Sequence, residues 1–363
     1  MPSPLPPELI EAILLFLPPT SLTSPDLPDR QADLARCCRV SRAFHGAAFP
    51  VLWSHLALKD TKLRDGLAKH AHHVRALRFN ASRNLPWSVF VELQPSMRRL
   101  EWLELDGISS HEALALTDLY LPHLRQLIVA GVLCEGGPPP GFPRLRSLTL
   151  NHVFVERRVL ASILDPARAP NLRCLSLGFT HDQSGRPFSP TLSPSFLEQL
   201  DMLQVRHATG LQGTAADFSL PTPTLFSFDP SFSLPTFDFP HGKTPPPNLY
   251  LIAAMDKKYN WMSDTYKARL PRNLDKLAKI INSPGKPIRS IFLPPFLDSS
   301  PSGYGFYDDL VHDAAERLIE ACQDCGIEVA FYGWAQVQCE PQPSPEFLRY
   351  ARQLKERMAS RGI

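Results

Sequence analysis

The sequence has no apolar run of the roughly 20 residues that a membrane-spanning helix needs. Its most apolar stretch, Leu9 to Leu17, is short and holds Glu11. A secretory signal is not expected either, because Met1-Pro2-Ser3-Pro4 offers no basic start, Glu11 sits inside the run and Pro18-Pro19 closes it. Charge of one sign is absent: 38 Lys and Arg stand against 36 Asp and Glu, a net +2, which argues against a dedicated nucleic-acid or membrane-surface binder. The seven cysteines, at 37, 38, 134, 174, 322, 325 and 339, are odd in number and lack the spacing of a disulfide framework. Reduced thiols in the cytoplasm or nucleus are the expectation.

Enzyme signatures are missing in the same way. There is no G-x-S-x-G, no P-loop, no dinucleotide fingerprint and no H-E-x-x-H. The expectation is therefore a chain without catalytic residues, cofactor or metal site. Two small groups test it. Cys322 and Cys325 form a C-x-x-C pair, but the pair sits at the end of a helical pattern before Gly326, where a thiol gains nothing from the positive helix start. Zinc would need two further ligands, and only His312 and Cys339 lie near in sequence. His70 to His73, "HAHH", has no carboxylate or cysteine pattern around it and reads as a solvated turn.

Proline is abundant instead, with 38 residues in 363, about twice the usual ~5%. A chain of this length suits one small and one larger unit. The small unit opens with "LPPELIEAILLFLPP". On a helix Leu9, Ile13 and Phe16 cover one side while Ile10, Leu14 and Leu17 cover another, so no wide polar face is left. A Pro/Ser/Asp-rich connector follows. In "ADLARCCRVSRAFHGAAF" the residues Leu34, Cys37, Cys38, Ser41, Phe44 and Ala48 recur at helical spacing, and Pro50 is expected to end that pattern before "VLWSHLAL". About 50 residues with three short helices make a marginal core.

The order Leu5-Pro6-x-Glu8-Leu9, Ile13-Leu14, Leu17, Asp33-Leu34, Val40-Ser41-Arg42-x-Phe44 and Leu52-Trp53 resembles the F-box motif. The connector from Thr20 to Gln31 is longer than usual for that family, and Phe44 stands where Trp is common. The resemblance implies a helical module that docks on a Skp-type adaptor and through it on a cullin scaffold. It also implies adaptor contacts or supports at Leu5, Pro6, Leu9, Ile10, Ile13, Leu14, Leu17, Leu34, Val40, Leu52 and Trp53.

The larger unit repeats. "VRALRF", "LEWLEL", "LRQLIV", "LRSLTL", "LRCLSL" and a weaker "LEQLDM" place Leu77, Leu103, Leu127, Leu148, Leu175 and Leu200 at intervals of 21 to 27 residues. That is near the roughly 20 to 29 of leucine-rich repeats. Alternating leucines point to one side of a short strand, and stacked neighbours share a core that one repeat cannot build. The frames resemble the irregular repeats that often follow an F-box. Arg75, Arg125, Arg146 and Arg173 share one frame position, interrupted by Glu101, so a solenoid would stack them in a column that an anionic ligand could exploit, although a solvated polar edge of the repeats looks the same and is the preferred reading. Strand residues facing away from the leucines, Arg78, Trp102, Glu104, Gln126, Ile128, Thr149 and Ser176, are expected to line a concave target-binding face.

The fold class that follows is α/β: a small N-terminal helical module over 1–58, then an irregular leucine-rich-repeat-like solenoid of parallel strands and helices over 70–363. A Pro/Phe-rich irregular insertion is expected at about 210–248, strands in "NLYLIAAM", "IRSIFL" and "IEVAFYGW", and a capping helix at about 345–360. Three functions follow in order of preference. The chain is expected to be the substrate-recognition subunit of an SCF-type ubiquitin ligase, with a Skp-type adaptor, a cullin and a target protein as partners. The alternatives are a non-catalytic interaction scaffold and, remotely, a thiol oxidoreductase using Cys322 and Cys325.

Overall fold

The computed structural model describes residues 6, 8–10, 14, 27–58, 64–107, 112–178, 180–186, 192–193, 196, 199–200, 202–205, 224–228, 249–253, 264–282, 288–293 and 309–331. The expected capping helix at 345–360 and most of the expected insertion at 210–248 lie outside these residues, as do Leu5, Ile13, Leu17 and Cys339. The chain divides into two compact units, residues 1–145 with 167–171, and residues 146–166 with 172–363.

In the first unit a helical turn begins where the Leu9 and Ile10 N–H groups donate to the Pro6 carbonyl. Helix α1 spans Leu27–Cys37 and helix α2 spans Arg42–Ser54. The Ser41 hydroxyl caps α2 by accepting the Phe44 N–H at 3.2 Å, satisfying one of the orphan donors of a helix start. Ile10, Leu14, Leu34 and Ala48 form the buried centre of this module, with Cys37, Cys38, Phe44, Ala47, Val51 and Leu52 packed around it. Pro50 does not end the pattern as expected, since α2 runs through it to Ser54. A helical proline crowds the carbonyl four residues back, and that residue is Gly46, which has open space around it and the widest backbone latitude.

Strand β1, His55–Leu58, follows α2 without a loop. It pairs in parallel with β2, Ala76–Asn80, which pairs with β3, Trp102–Asp106, which pairs with β4, Gln126–Ala130. The register aligns Leu56, Leu77, Leu103 and Leu127 in one row and Leu58, Phe79, Leu105 and Val129 in a second. All eight are buried. The leucine frames thus become strands in register, as their spacing requires. The returning segments include helix α3, Arg64–His70, and helix α4, Trp87–Leu93. The rings of Trp87 and Phe90 pack on Phe79 with centroids 5.6 and 5.5 Å away.

In the second unit β5, Ser147–Asn151, β6, Cys174–Leu177, and β7, Met202–Val205, pair in parallel and align Leu148, Leu175 and Leu203. The sixth frame therefore slips by three residues: Leu203, not Leu200, is the counterpart of Leu175, and Leu200 is buried ahead of the strand. A second parallel sheet joins β8, Thr224–Phe228, β9, Leu249–Ala253, β10, Ile288–Leu293, and β11, Glu328–Phe331, in that order. Strand β8 falls within the stretch expected to be irregular, because Thr, Leu and Phe suit a pleated ladder once β9 offers one. Helix α5, Arg157–Ile163, lies between β5 and β6 in sequence, and helix α6, Asp264–Ile281, and helix α7, Asp309–Asp324, lie between the strands of the second sheet in sequence and pack on each other. The Arg317 guanidinium reaches both oxygens of Asp275 at 2.9 and 3.3 Å.

Candidate functional site

The N-terminal module is two-sided. Ile10, Leu14 and Leu34 are buried in the module's own centre, so they support the surface rather than form it. Leu9 is 52% exposed and Val40 67% exposed, and Pro6 is exposed beside them in the motif. Leu52 is half-buried against the centre. Trp53 turns the other way: its Cη2 lies 2.6 Å from where a Cβ on Gly66 would sit, and its ring is 4.8 Å from that of His70. Glycine is required at 66 because the indole occupies the side-chain space.

Trp53 belongs to a group of rings that binds α2 to the start of the repeats. Phe49 stacks on His45 at 5.1 Å and meets His70 edge-on at 4.8 Å, and His72 lies 4.0 Å from His73. Burial, aided by His72, His70 and Arg99, lowers the pKa of His73. Among the described residues no group of three or more His, Cys, Asp or Glu side chains is placed to hold a metal ion. The "HAHH" stretch forms the end of α3 and a 3-10 turn.

The expected concave face is different from the sequence expectation. Arg78, Trp102 and Gln126 are half-buried, whereas Glu104, Ile128, Thr149 and Ser176 are 4%, 1%, 1% and 2% exposed. These four are not open target contacts. Strands β3, β4, β5 and β6 bury their centres on both faces, as parallel strands usually do, so alternation along those strands does not separate core from solvent. Arg78 and Glu104, opposite each other in the register, form an ion pair at 3.2 Å, and Arg78 also reaches Asp106 at 3.7 Å. Thr149 and Ser176 are likewise opposite each other in the second unit.

A repeated turn, unnoticed in the sequence reading, precedes the strands. In Ala71–Val74, Met97–Leu100, Leu121–Leu124 and Phe142–Leu145 the fourth N–H donates to the first carbonyl at 3.0 to 3.2 Å. Both ends of each turn are buried apolar residues, and the middle pairs His72-His73, Arg98-Arg99, Pro122-His123 and Pro143-Arg144 sit at the surface. The next residue is Arg75, Glu101, Arg125 or Arg146. The column expected from the frames forms within each unit. The Arg75 carbonyl accepts from Glu101 and Trp102, the Glu101 carbonyl from Arg125 and Gln126, and the Arg146 carbonyl from Arg173 and Cys174. A Φ-x-x-Φ-[R/E] pattern, read five residues at a time, carries this signal in the sequence.

The two cysteines of the C-x-x-C pair differ in setting, Cys322 being buried and Cys325 exposed. Cys322 is buried in α7, and burial first, then the Cys325 thiol, pushes its pKa up to about 12. Cys325 lies past the helix end, before Gly326 in the left-handed region at φ +68°. An attacking thiolate is therefore disfavoured at Cys322.

No helix among the described residues is long and apolar enough to cross a membrane. Comparison with known proteins gives no family model that matches the chain and no significant match among curated proteins.

Proposed function

We propose that this chain is the target-recognition subunit of an SCF-type ubiquitin ligase, with an F-box fold at its N-terminus and a leucine-rich-repeat-like solenoid after it. One observation carries the reading: within the L-P-x-E-L and V-S-R-x-F anchors, Leu9 and Val40 remain exposed while Ile10, Leu14 and Leu34 are buried. Two large apolar side chains kept out of a small module's core are what a docking surface requires. On this reading the module holds a Skp-type adaptor, the adaptor holds a cullin, and the repeats hold a target protein in the cytoplasm or nucleus. The chain supplies no reacting group. It raises the effective concentration of target lysines near a ubiquitin-loaded conjugating enzyme.

Affinity capture of the full chain from cells tests the reading. Recovery of a Skp-type adaptor is expected, with loss on Leu9→Asp combined with Val40→Asp and unchanged melting of the variant. Capture that yields no such adaptor removes the proposal. If reconstituted ligase components assemble with the chain and bound target yet transfer no ubiquitin, the scaffold function replaces it.

A further inference from the structure

The repeated turns of the first unit bring cations together at the edge where the strands begin. Backbone hydrogen bonds tie the Arg75, Glu101 and Arg125 positions side by side. One layer further out stand His72, Arg98, Arg99 and His123, all exposed, as are Arg75 and Arg125. In these turns Glu101 is the only carboxylate, and it pairs with Arg125 at 3.4 Å. On the flanking elements Glu92 pairs with Arg64 at 3.0 Å, and the Asp118 carboxylate accepts from the Thr117 hydroxyl. The positive field reaches the interior side of the turn: besides burial, His72, His70 and Arg99 disfavour a proton on His73. Beside the strip Tyr120 is 68% exposed, and its N–H donates to the Gln94 side chain at 3.2 Å. The Gln94 amide also donates to the Asp118 carbonyl, so this buried side chain ties the Met97 turn to the Leu121 turn.

We propose that this edge, from Arg75 across Arg98 and Arg99 to Arg125, is the docking strip for an extended acidic segment of a partner protein, with Tyr120 as its apolar anchor. Neighbouring strands lie about 4.8 Å apart, while side chains on one side of an extended peptide repeat at about 6.8 Å. A peptide crossing the strands therefore keeps each carboxylate within reach of a long guanidinium, which holds it by charge-assisted hydrogen bonds. A nucleic acid strand fits less well. It needs successive aromatic platforms for its bases, and the strip offers one tyrosine on a chain of net charge +2. The inference rests on the reading that the repeats hold a target, not on adaptor docking. It moves target contact from the buried strand face to the strand edge.

Fluorescence anisotropy with the full chain and a fluorescein-labelled peptide of alternating Glu and Ser tests it. The Glu peptide is expected to bind, and its affinity to fall with added salt as exposed charge pairs are screened. Combined Arg75→Ser, Arg98→Ser and Arg99→Ser is expected to weaken binding at least about tenfold, given modest contributions from each exposed pair. Lysine at the same three positions should retain most of it, which separates charge from folding. Equal affinity for a peptide with Gln in place of Glu, tighter binding of labelled oligo-dT, salt-insensitive binding, or an unaffected serine variant would each overturn the proposal. Adaptor capture should be unchanged by the serine variant. Loss of adaptor capture by the wild-type chain with peptide binding intact would remove the ligase reading alone.

Discussion

Two regions of the first unit solve the same problem differently. The helical module buries Ile10, Leu14, Leu34 and Ala48 and surrounds them with side chains that stay half exposed. The strands behind it bury whole rows: Leu77, Phe79, Leu103 and Leu105 are all 0% exposed. The rows exist because each repeat adds the same residue at the same register, so burial is shared between neighbours and accumulates. Helices α1 and α2 and the helical turn at 8–10 have no such neighbours. They leave Leu9 and Val40 exposed, the surplus that the proposed adaptor docking would use.

The contrast can be broken from its strong side first. Phe79→Ala removes a fully buried ring that packs on Trp87 and Phe90, and should cost about 3–5 kcal/mol in urea unfolding. Leu34→Ala should cost about 2–3 kcal/mol, with the loss confined to the module. Hydrogen exchange is the measurement: amides of 27–54 should exchange faster while those of 76–130 keep their protection. A uniform rise would mean that the two regions fold as one and the distinction fails. Glu104→Gln, which strips the charge from the Arg78 pair, should cost about 1–3 kcal/mol, and a double-mutant cycle with Arg78→Met should show coupling.

A smaller effect comes from pH. Burial, then Arg30 and Arg75, lower the pKa of His55 at the joint between module and sheet. The folded joint favours the neutral ring, while the unfolded ring takes a proton below its ordinary value of about 6.5. Stability is therefore complete above that pH and is lost as pH falls below it toward the lowered folded value. The difference between melting curves of the wild type and His55→Gln should be flat above about pH 6.5 and should shrink on acidification below it. Arg125→Ala, which breaks an exposed pair with Glu101, should change stability by no more than about 0.5 kcal/mol.

The sheet was legible in the sequence because its signal is periodic. Leucines recurring at 21 to 27 residues gave β2 to β6 and their register, with a slip from Leu200 to Leu203 at β7, whereas β1 carries no frame and reads in the sequence as part of the helical module. The strands β9, β10 and β11 were legible as short apolar runs. The candidate site was legible only in part. Alternation says which side of a strand a residue occupies, but what covers the second side is a tertiary fact, so Glu104, Ile128, Thr149 and Ser176 read as surface and are buried. The packing of Trp53 was not legible either, since its partners Gly66 and His70 lie outside the motif and carry no local mark. Pro50 misled because a local rule was relaxed by Gly46, four residues back.

The passage from α2 into β1 has one more consequence. No loop separates Ser54 from His55. The Ser54 hydroxyl binds the Val51 carbonyl at 2.6 Å, its own carbonyl takes the Arg75 N–H at 2.9 Å, and Gln31 reaches the His55 carbonyl at 2.9 Å. Mechanically this is a bracket and not a tether. A flexible Gly/Ser connection would let the sheet sweep a volume that grows with linker length. On the proposed adaptor reading, a grip on Leu9 or Val40 would set the tilt of β1, and through its ladder the tilt of β2, β3 and β4. Aim is transmitted by the backbone itself.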